Sequence, residues 1–87
     1  MPFKIEDRFD ITGRGTVVVV GVTTALPVGK ALRATVYRPD GSQFAAVAFK
    51  EWLLRRDPRP LEKEAFLLQS VHTSEVPEGS FIDIESL

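Results

Sequence analysis

The chain has 87 residues, which suits one domain, 1–87, and its 11 lysines and arginines nearly balance its 12 aspartates and glutamates. The resulting charge gives no general attraction to nucleic acid or to an anionic membrane, and no apolar run approaches the ~20 residues that span a bilayer. The absence of cysteine excludes a disulfide framework and a thiolate metal site. We therefore expect one cytoplasmic domain that binds neither DNA nor membrane.

Apolar and polar residues alternate with period two, and glycine and proline interrupt them at short intervals, which predicts an all-β chain. The first strand contains an irregularity near Asp7. Gly13 and Gly15 permit a tight connection to a second strand that is β-branched almost throughout. Pro39-Asp40-Gly41-Ser42 predicts a hairpin turn. In chain order the predicted strands are residues 3–12, 16–23, 31–38, 43–49, 64–71 and 81–84.

One segment departs from this pattern. Phe49, Trp52 and Leu53 have helical spacing, which predicts a short helical turn within residues 49–56. The sequence Asp57-Pro58-Arg59-Pro60 ends that turn, because proline cannot continue a helix and restricts the residue before it.

Six short strands with glycine and proline turns favour a small closed antiparallel β-barrel over an open sandwich, since closure removes edge strands. The alternation predicts that the interior contains Val17, Val19, Leu32, Ala34, Val36, Ile82 and either Phe66 or Leu67. The other two valines of the second strand then form an outer apolar strip. Either the loop from Lys50 to Lys63 covers this strip, with Trp52, Leu53 and Leu54 as a lid, or the strip is free to bind a partner.

The segment Ile5–Val17, I-E-D-R-F-D-I-T-G-R-G-T-V, resembles the opening of domain two of elongation factor Tu, which reads roughly I-E-D-V-F-x-I-x-G-R-G-T-V. The G-R-G-T-V core is the most specific part of the match. Similar segments follow in the same order at Pro27–Leu32, Val47–Leu54 and Ala65–Val71, so the resemblance covers about Phe3 to Ile84. It implies the β-barrel fold of translational GTPases of this type, here as a stand-alone domain.

The resemblance also implies a ligand surface. In that family one face of the barrel holds the 3′ terminal adenosine and aminoacyl group of transfer RNA, and the matching positions here are Phe9, Ile11, Gly13, Val17 and Leu67. The polar groups of the family pocket are replaced: Ala48 stands for its glutamate, Lys50 for its histidine or phenylalanine, and Lys63 for its asparagine. The simpler interpretation is that Phe9, Ile11 and Val17 belong to the core of the barrel.

Two further features concern binding. Arg14 lies between two glycines at a turn tip, where it can contact a phosphate or a partner carboxylate, or serve the fold. A basic patch surrounds Trp52, which suits RNA. Acidic residues are interleaved with it, however, and a mixed-charge loop of this kind is usually only solvated. The patch consists of Lys50, Arg55, Arg56, Arg59 and Lys63, and the acids are Glu51, Asp57, Glu62 and Glu64.

Nothing in the sequence predicts catalysis, a metal or a cofactor. Gly29-Lys30 is followed by Ala31 and lacks the earlier glycine of a G-x-x-x-x-G-K-[ST] phosphate loop, so we expect no nucleotide binding. His72 is the only histidine, and although Ser70 and Ser74 share its strand face, no third group orients the ring.

The sequence therefore predicts a non-enzymatic binding module that contacts a protein partner, with RNA as the other ligand and translation as the setting. The alternative is an accessory protein-interaction domain that reuses the barrel outside translation, because fold analogy alone does not assign function. The candidate surface consists of Phe9, Ile11, Gly13, Arg14, Val17, Lys50, Trp52, Lys63 and Leu67.

Overall fold

A computed structural model of the chain describes residues 2–51 and 63–87. A single 3₁₀ turn, Thr73–Glu75, accompanies the strands in these ranges. The strands are β1 (Phe3–Ile11), β2 (Gly15–Val20), β3 (Ala31–Tyr37), β4 (Gln43–Glu51), β5 (Glu64–Gln69) and β6 (Phe81–Ser86). In neither described range is a helix long and apolar enough to cross a membrane.

The six strands close into an antiparallel barrel in the order β1-β2-β5-β4-β3-β6, which confirms the predicted fold class. β1–β2 and β3–β4 are hairpins, β5 lies between β2 and β4, and β6 closes the barrel between β3 and β1. The β1–β2 register shifts between Ile5 and Asp7, where the sequence predicted an irregularity. A shift of this kind bends the strand and increases its twist, as closure of a small barrel requires.

The prediction of which side of β2 points into the barrel is wrong. Val18 and Val20 fill the barrel, whereas Val17 and Val19 belong to a separate cluster on its outer side. Val18 pairs with Phe66, whose fully buried side chain points into the same interior. Since all four residues of the run are valine, the sequence does not distinguish the two faces, and pairing with β5 decides between them.

The rest of the predicted interior is largely confirmed. The main core holds the predicted Leu32, Ala34, Val36 and Ile82, and of the two β5 candidates it holds Phe66. The core also contains Ile5, Val18, Val20, Ala48, Leu68, Val71, Val76 and Ile84.

The helical turn predicted to begin at Phe49 is wrong for its first three residues. β4 continues to Glu51, and Phe49 is paired with Ala31 on one side and with Leu67 on the other. Pairing with β3 on one side and with β5 on the other stabilises the extended conformation of Phe49, and this outweighs the local helical spacing of the sequence. Residues 52–56, and the proline-rich stop at 57–60, lie outside the described residues.

A partly buried ion pair holds the connection between β2 and β3 against the barrel. The Lys50 ammonium lies 2.9 Å from Glu64 Oε1, and it donates to the carbonyl oxygens of Thr24 and Leu26 at 3.3 and 3.0 Å. The Glu64 carboxylate in turn accepts from the Thr24 N–H and hydroxyl. Burial acts to raise the pKa of Glu64, but the hydrogen bonds from Lys50 and Thr24 together outweigh it and hold that pKa below its ordinary value. We call this group the Lys50–Glu64 clasp.

Candidate binding surface

The residues that match the family's ligand pocket lie on the outside of the barrel. The registers place Phe9, Val17, Leu67 and Phe49 in one row across β1, β2, β5 and β4. Val17 and Leu67 are buried, whereas Phe9 is 45% exposed. Ile11, Val19 and Ala65 complete the outer cluster. Phe9 is therefore not part of the core, whereas Val17 is buried in this outer cluster and Ile11 packs against it.

Arg14 extends along this outer side. Its guanidinium Nη2 donates to Glu51 Oε1 at 3.3 Å, and the two side chains are 62% and 35% exposed. Gly15, next to Arg14, pairs with Gln69 at the end of β5, whereas Glu51 pairs with Ala65 near its beginning. The ion pair therefore spans the outer side of β5, along the strand that carries Leu67.

Two open grooves flank the turn that carries Arg14. One has a volume of about 440 Å³ and is lined by residues 10–15 and 70–72, and the other has about 290 Å³ and includes Phe49 and Leu67. Gly13, Arg14 and Ser70 line both. A ligand in either groove would therefore contact Arg14.

Asp10 connects the walls of the larger groove. Its Oδ1 accepts from the Thr16 hydroxyl at 3.1 Å and from the Thr73 N–H at 3.0 Å, 63 residues away in sequence. The buried Thr16 hydroxyl also lies 2.7 Å from the Val71 carbonyl. The Thr73 side chain, the Thr73 N–H and the Thr16 hydroxyl lower the pKa of Asp10 below its ordinary value. Asp10 thus holds the segment after β5 against β1 and β2.

Asp10 also lies near His72, with its Oδ2 3.8 Å from His72 Nε2. The other ring nitrogen, Nδ1, accepts the Ser74 N–H at 3.2 Å and lies 2.9 Å from the Ser74 hydroxyl. The His72 N–H donates to Glu75 Oε2 at 2.7 Å, which completes a capping box. The lone pair of His72 Nδ1 therefore caps the 3₁₀ turn. The 3.8 Å separation from Asp10 is longer than a hydrogen bond, so Asp10 does not orient the ring through one.

The lowered pKa of Asp10 predicts a pH-dependent effect of D10N. Because the folded-state pKa lies below that of the unfolded chain, the stabilisation is complete above about pH 4 and is lost as the pH falls through the folded-state value. D10N should lower the melting temperature at about pH 7, and the difference from wild type should shrink as the pH falls through the folded-state pKa of Asp10. Calorimetric melts over a descending pH series test this, and a difference that stays constant with pH would contradict it.

The structure separates the predicted candidates into three groups. Phe9, Ile11, Gly13, Arg14, Val17 and Leu67 come together on one outer face. Lys50 is held in the clasp, and Lys63 lies 3.0 Å from Glu6. Trp52, Arg55, Arg56 and Arg59, like the proposed lid of Trp52, Leu53 and Leu54, lie outside the described residues.

Three members of this face were not predicted: Phe49, Glu51 and Ser70. Phe49 and Glu51 reach the face through the β4–β5 register, which no local pattern specifies. Ser70 adopts a left-handed φ of +60°, the one such value among the non-glycine residues described. We call the six assembled candidates together with Phe49, Glu51 and Ser70 the Arg14 surface.

Comparisons of the chain with models of protein families, with curated proteins and with solved structures find no match. The Arg14 surface and the motif between Ile5 and Val17 are therefore the features that bear on function.

Proposed function

We propose that this chain is a non-enzymatic binding module of the type of domain two in elongation-factor-Tu-like GTPases, and that its Arg14 surface binds a protein partner. The observation that carries the proposal is the position of Arg14. Its exposed guanidinium lies beside two grooves and an outer apolar row that contains the half-exposed Phe9. A cationic side chain beside apolar surface is a combination found in protein interfaces, where arginine and aromatic residues are enriched.

The chemistry of Arg14 suggests what the partner presents. An exposed ion pair such as Arg14–Glu51 contributes at most about 1 kcal/mol. Arg14 can therefore leave Glu51 and pair with a carboxylate of a binding partner at little cost in free energy. A carboxylate that approaches the fork of the guanidinium can accept two hydrogen bonds. We infer an acidic group on the partner, next to an apolar side chain that packs on Phe9.

The charges around Arg14 favour a protein over RNA. The carboxylate of Asp10 borders the larger groove and that of Glu51 pairs with Arg14, and both would repel a phosphate backbone. Two lysines of the predicted basic patch, Lys50 and Lys63, are engaged in ion pairs with glutamates. With a net charge of −1, the chain also lacks the overall charge that drives sequence-independent RNA binding.

The test is capture of partners from native lysate with tagged wild type, R14E and K4E, followed by analysis of bound protein and bound RNA. K4E is the matched control, since Lys4 is exposed at the start of β1 and pairs with Phe81, away from the Arg14 surface. We expect a protein retained by wild type and K4E and lost with R14E. Calorimetry with that protein should show at least about tenfold weaker binding to R14E. Capture of RNA alone, or equal capture by R14E and wild type, would contradict the proposal.

A further inference from the structure

Strand β4 is longer than its pairing with β5. It pairs with β3 over residues 43–49 but with β5 only over residues 48–51. β5 ends at Gln69, and the left-handed Ser70 turns the chain so that its N–H bonds to the Arg14 carbonyl at 3.1 Å. Within the described ranges, the backbone of Gln43–Val47 therefore has a strand partner on one side only. We call this segment the β4 edge.

The residues of the β4 edge themselves lack the features that most often protect natural edge strands, although the Arg38 guanidinium lies 4.6 Å from the centroid of the Phe44 ring. Its sequence, Q-F-A-A-V, contains no charge and no proline, and it pairs with β3 without a register shift. Gln43, Ala45 and Val47 are exposed on the outer face. Exposed edges are usually blocked by lysine, proline or a bulge, because unpaired N–H and C=O groups attract another strand. An edge without these features is suited to accept a strand.

We propose that the β4 edge pairs antiparallel with the β4 edge of a second copy of this chain, about a two-fold axis at Ala45. In this register Phe44 lies opposite the partner's Ala46, and by symmetry Ala46 lies opposite the partner's Phe44. Both residues are half-buried and pack against the barrel core. A large side chain thus meets a small one twice, and no like charges lie opposite each other.

The outer face of the β4 edge has room for the partner. Gln43 of each copy lies opposite Val47 of the other, and Val47 borders a groove of about 280 Å³ that is also lined by Arg33, Ala45 and Leu87. Because each copy contributes only five residues, the interface buries much less surface than the roughly 1,600 Å² of a standard complex. We therefore expect a weak, reversible dimer that forms at high protein concentration.

Sedimentation equilibrium over a concentration series tests the dimer with wild type, A45K and A31K. A45K places two lysines directly opposite each other at the two-fold axis, whereas A31K makes the same change at an exposed residue of β3 outside the edge. We expect the dissociation constant to rise at least about tenfold with A45K and to stay within about twofold with A31K. Circular dichroism establishes that both variants keep the fold.

Cross-linking tests the register, because the chain contains no cysteine of its own. Directly opposed residues of antiparallel strands have Cα atoms about 4.5–5.5 Å apart, within the range of a disulfide. A45C should therefore form a disulfide dimer rapidly under mild oxidation, and A31C should not. A wild-type monomer at every concentration, or equal cross-linking of A45C and A31C, overturns the proposal. So does a monomer whose β4 edge binds an unrelated extended peptide. None of these outcomes depends on the Arg14 surface.

Discussion

Replacing Gly15 by alanine should cost at least about 3 kcal/mol of folding stability, a large fraction of the roughly 5–15 kcal/mol that stabilises a natural domain. Gly15 has a φ of +149°, a conformation that side-chain-bearing residues rarely adopt. A Cβ atom at this position would overlap the Leu68 carbonyl oxygen and come within 3.1 Å of the Ser70 nitrogen. This carbonyl belongs to the part of β5 that pairs with β2. Relieving the overlap therefore requires β2 and β5 to separate at this point of the barrel.

Gly13 provides the matched control. It also has a positive φ, +78°, but a Cβ atom there meets nothing within 4 Å. G13A should therefore show only the conformational cost of a left-handed residue, about 1 kcal/mol. Urea denaturation followed by circular dichroism measures both changes. Similar losses for G15A and G13A would show that the close approach to β5 does not limit stability.

The second large effect is expected at the Lys50–Glu64 clasp. K50M should destabilise the fold by about 3 kcal/mol, because it leaves the Glu64 carboxylate without its cation at a site where the two side chains are only 17% and 9% exposed. The Thr24 and Leu26 carbonyl oxygens lose their donor as well, so the connection between β2 and β3 should loosen. Chemical denaturation and hydrogen exchange of residues 22–28 report these two consequences separately.

K63M is the control for this prediction. Lys63 pairs with Glu6 at 3.0 Å, almost the distance found in the clasp, but both side chains are about half exposed. Loss of that pair should cost less than about 0.5 kcal/mol. The double variant K50M/E64M should recover part of the loss, since it removes the unpaired charge together with its partner. A loss no larger for K50M than for K63M would mean that the clasp contributes no more than a surface ion pair.

The amino-acid sequence by itself determined the fold class and most of the strands and turns, but not the continuation of β4 to Glu51. Residues 3–12 and 31–38 alternate with period two, and the glycines around Arg14 permit backbone angles that other residues avoid. These signals are local, since each depends on residues a few positions apart. The irregularity near Asp7 was also visible, because it interrupts the alternation within one strand. The motif from Ile5 to Val17 is also a local signal, and it contains Phe9, Ile11, Gly13, Arg14 and Val17 of the outer face.

Only the tertiary structure decided which faces of β2 and β5 are inside and which distant residues meet. Val17 and Val18 are chemically identical, and the partner β5 turns one outward and the other into the core. The contact between Asp10 and Thr73, like the Arg14–Glu51 pair, follows from closure of the barrel. Strand pairing acts between segments far apart in the chain, and a shift of one residue exchanges every inner and outer side chain. No local pattern specifies that register. The pairing of the six strands in the barrel therefore decides which residues form the Arg14 surface and how long the unpaired β4 edge is.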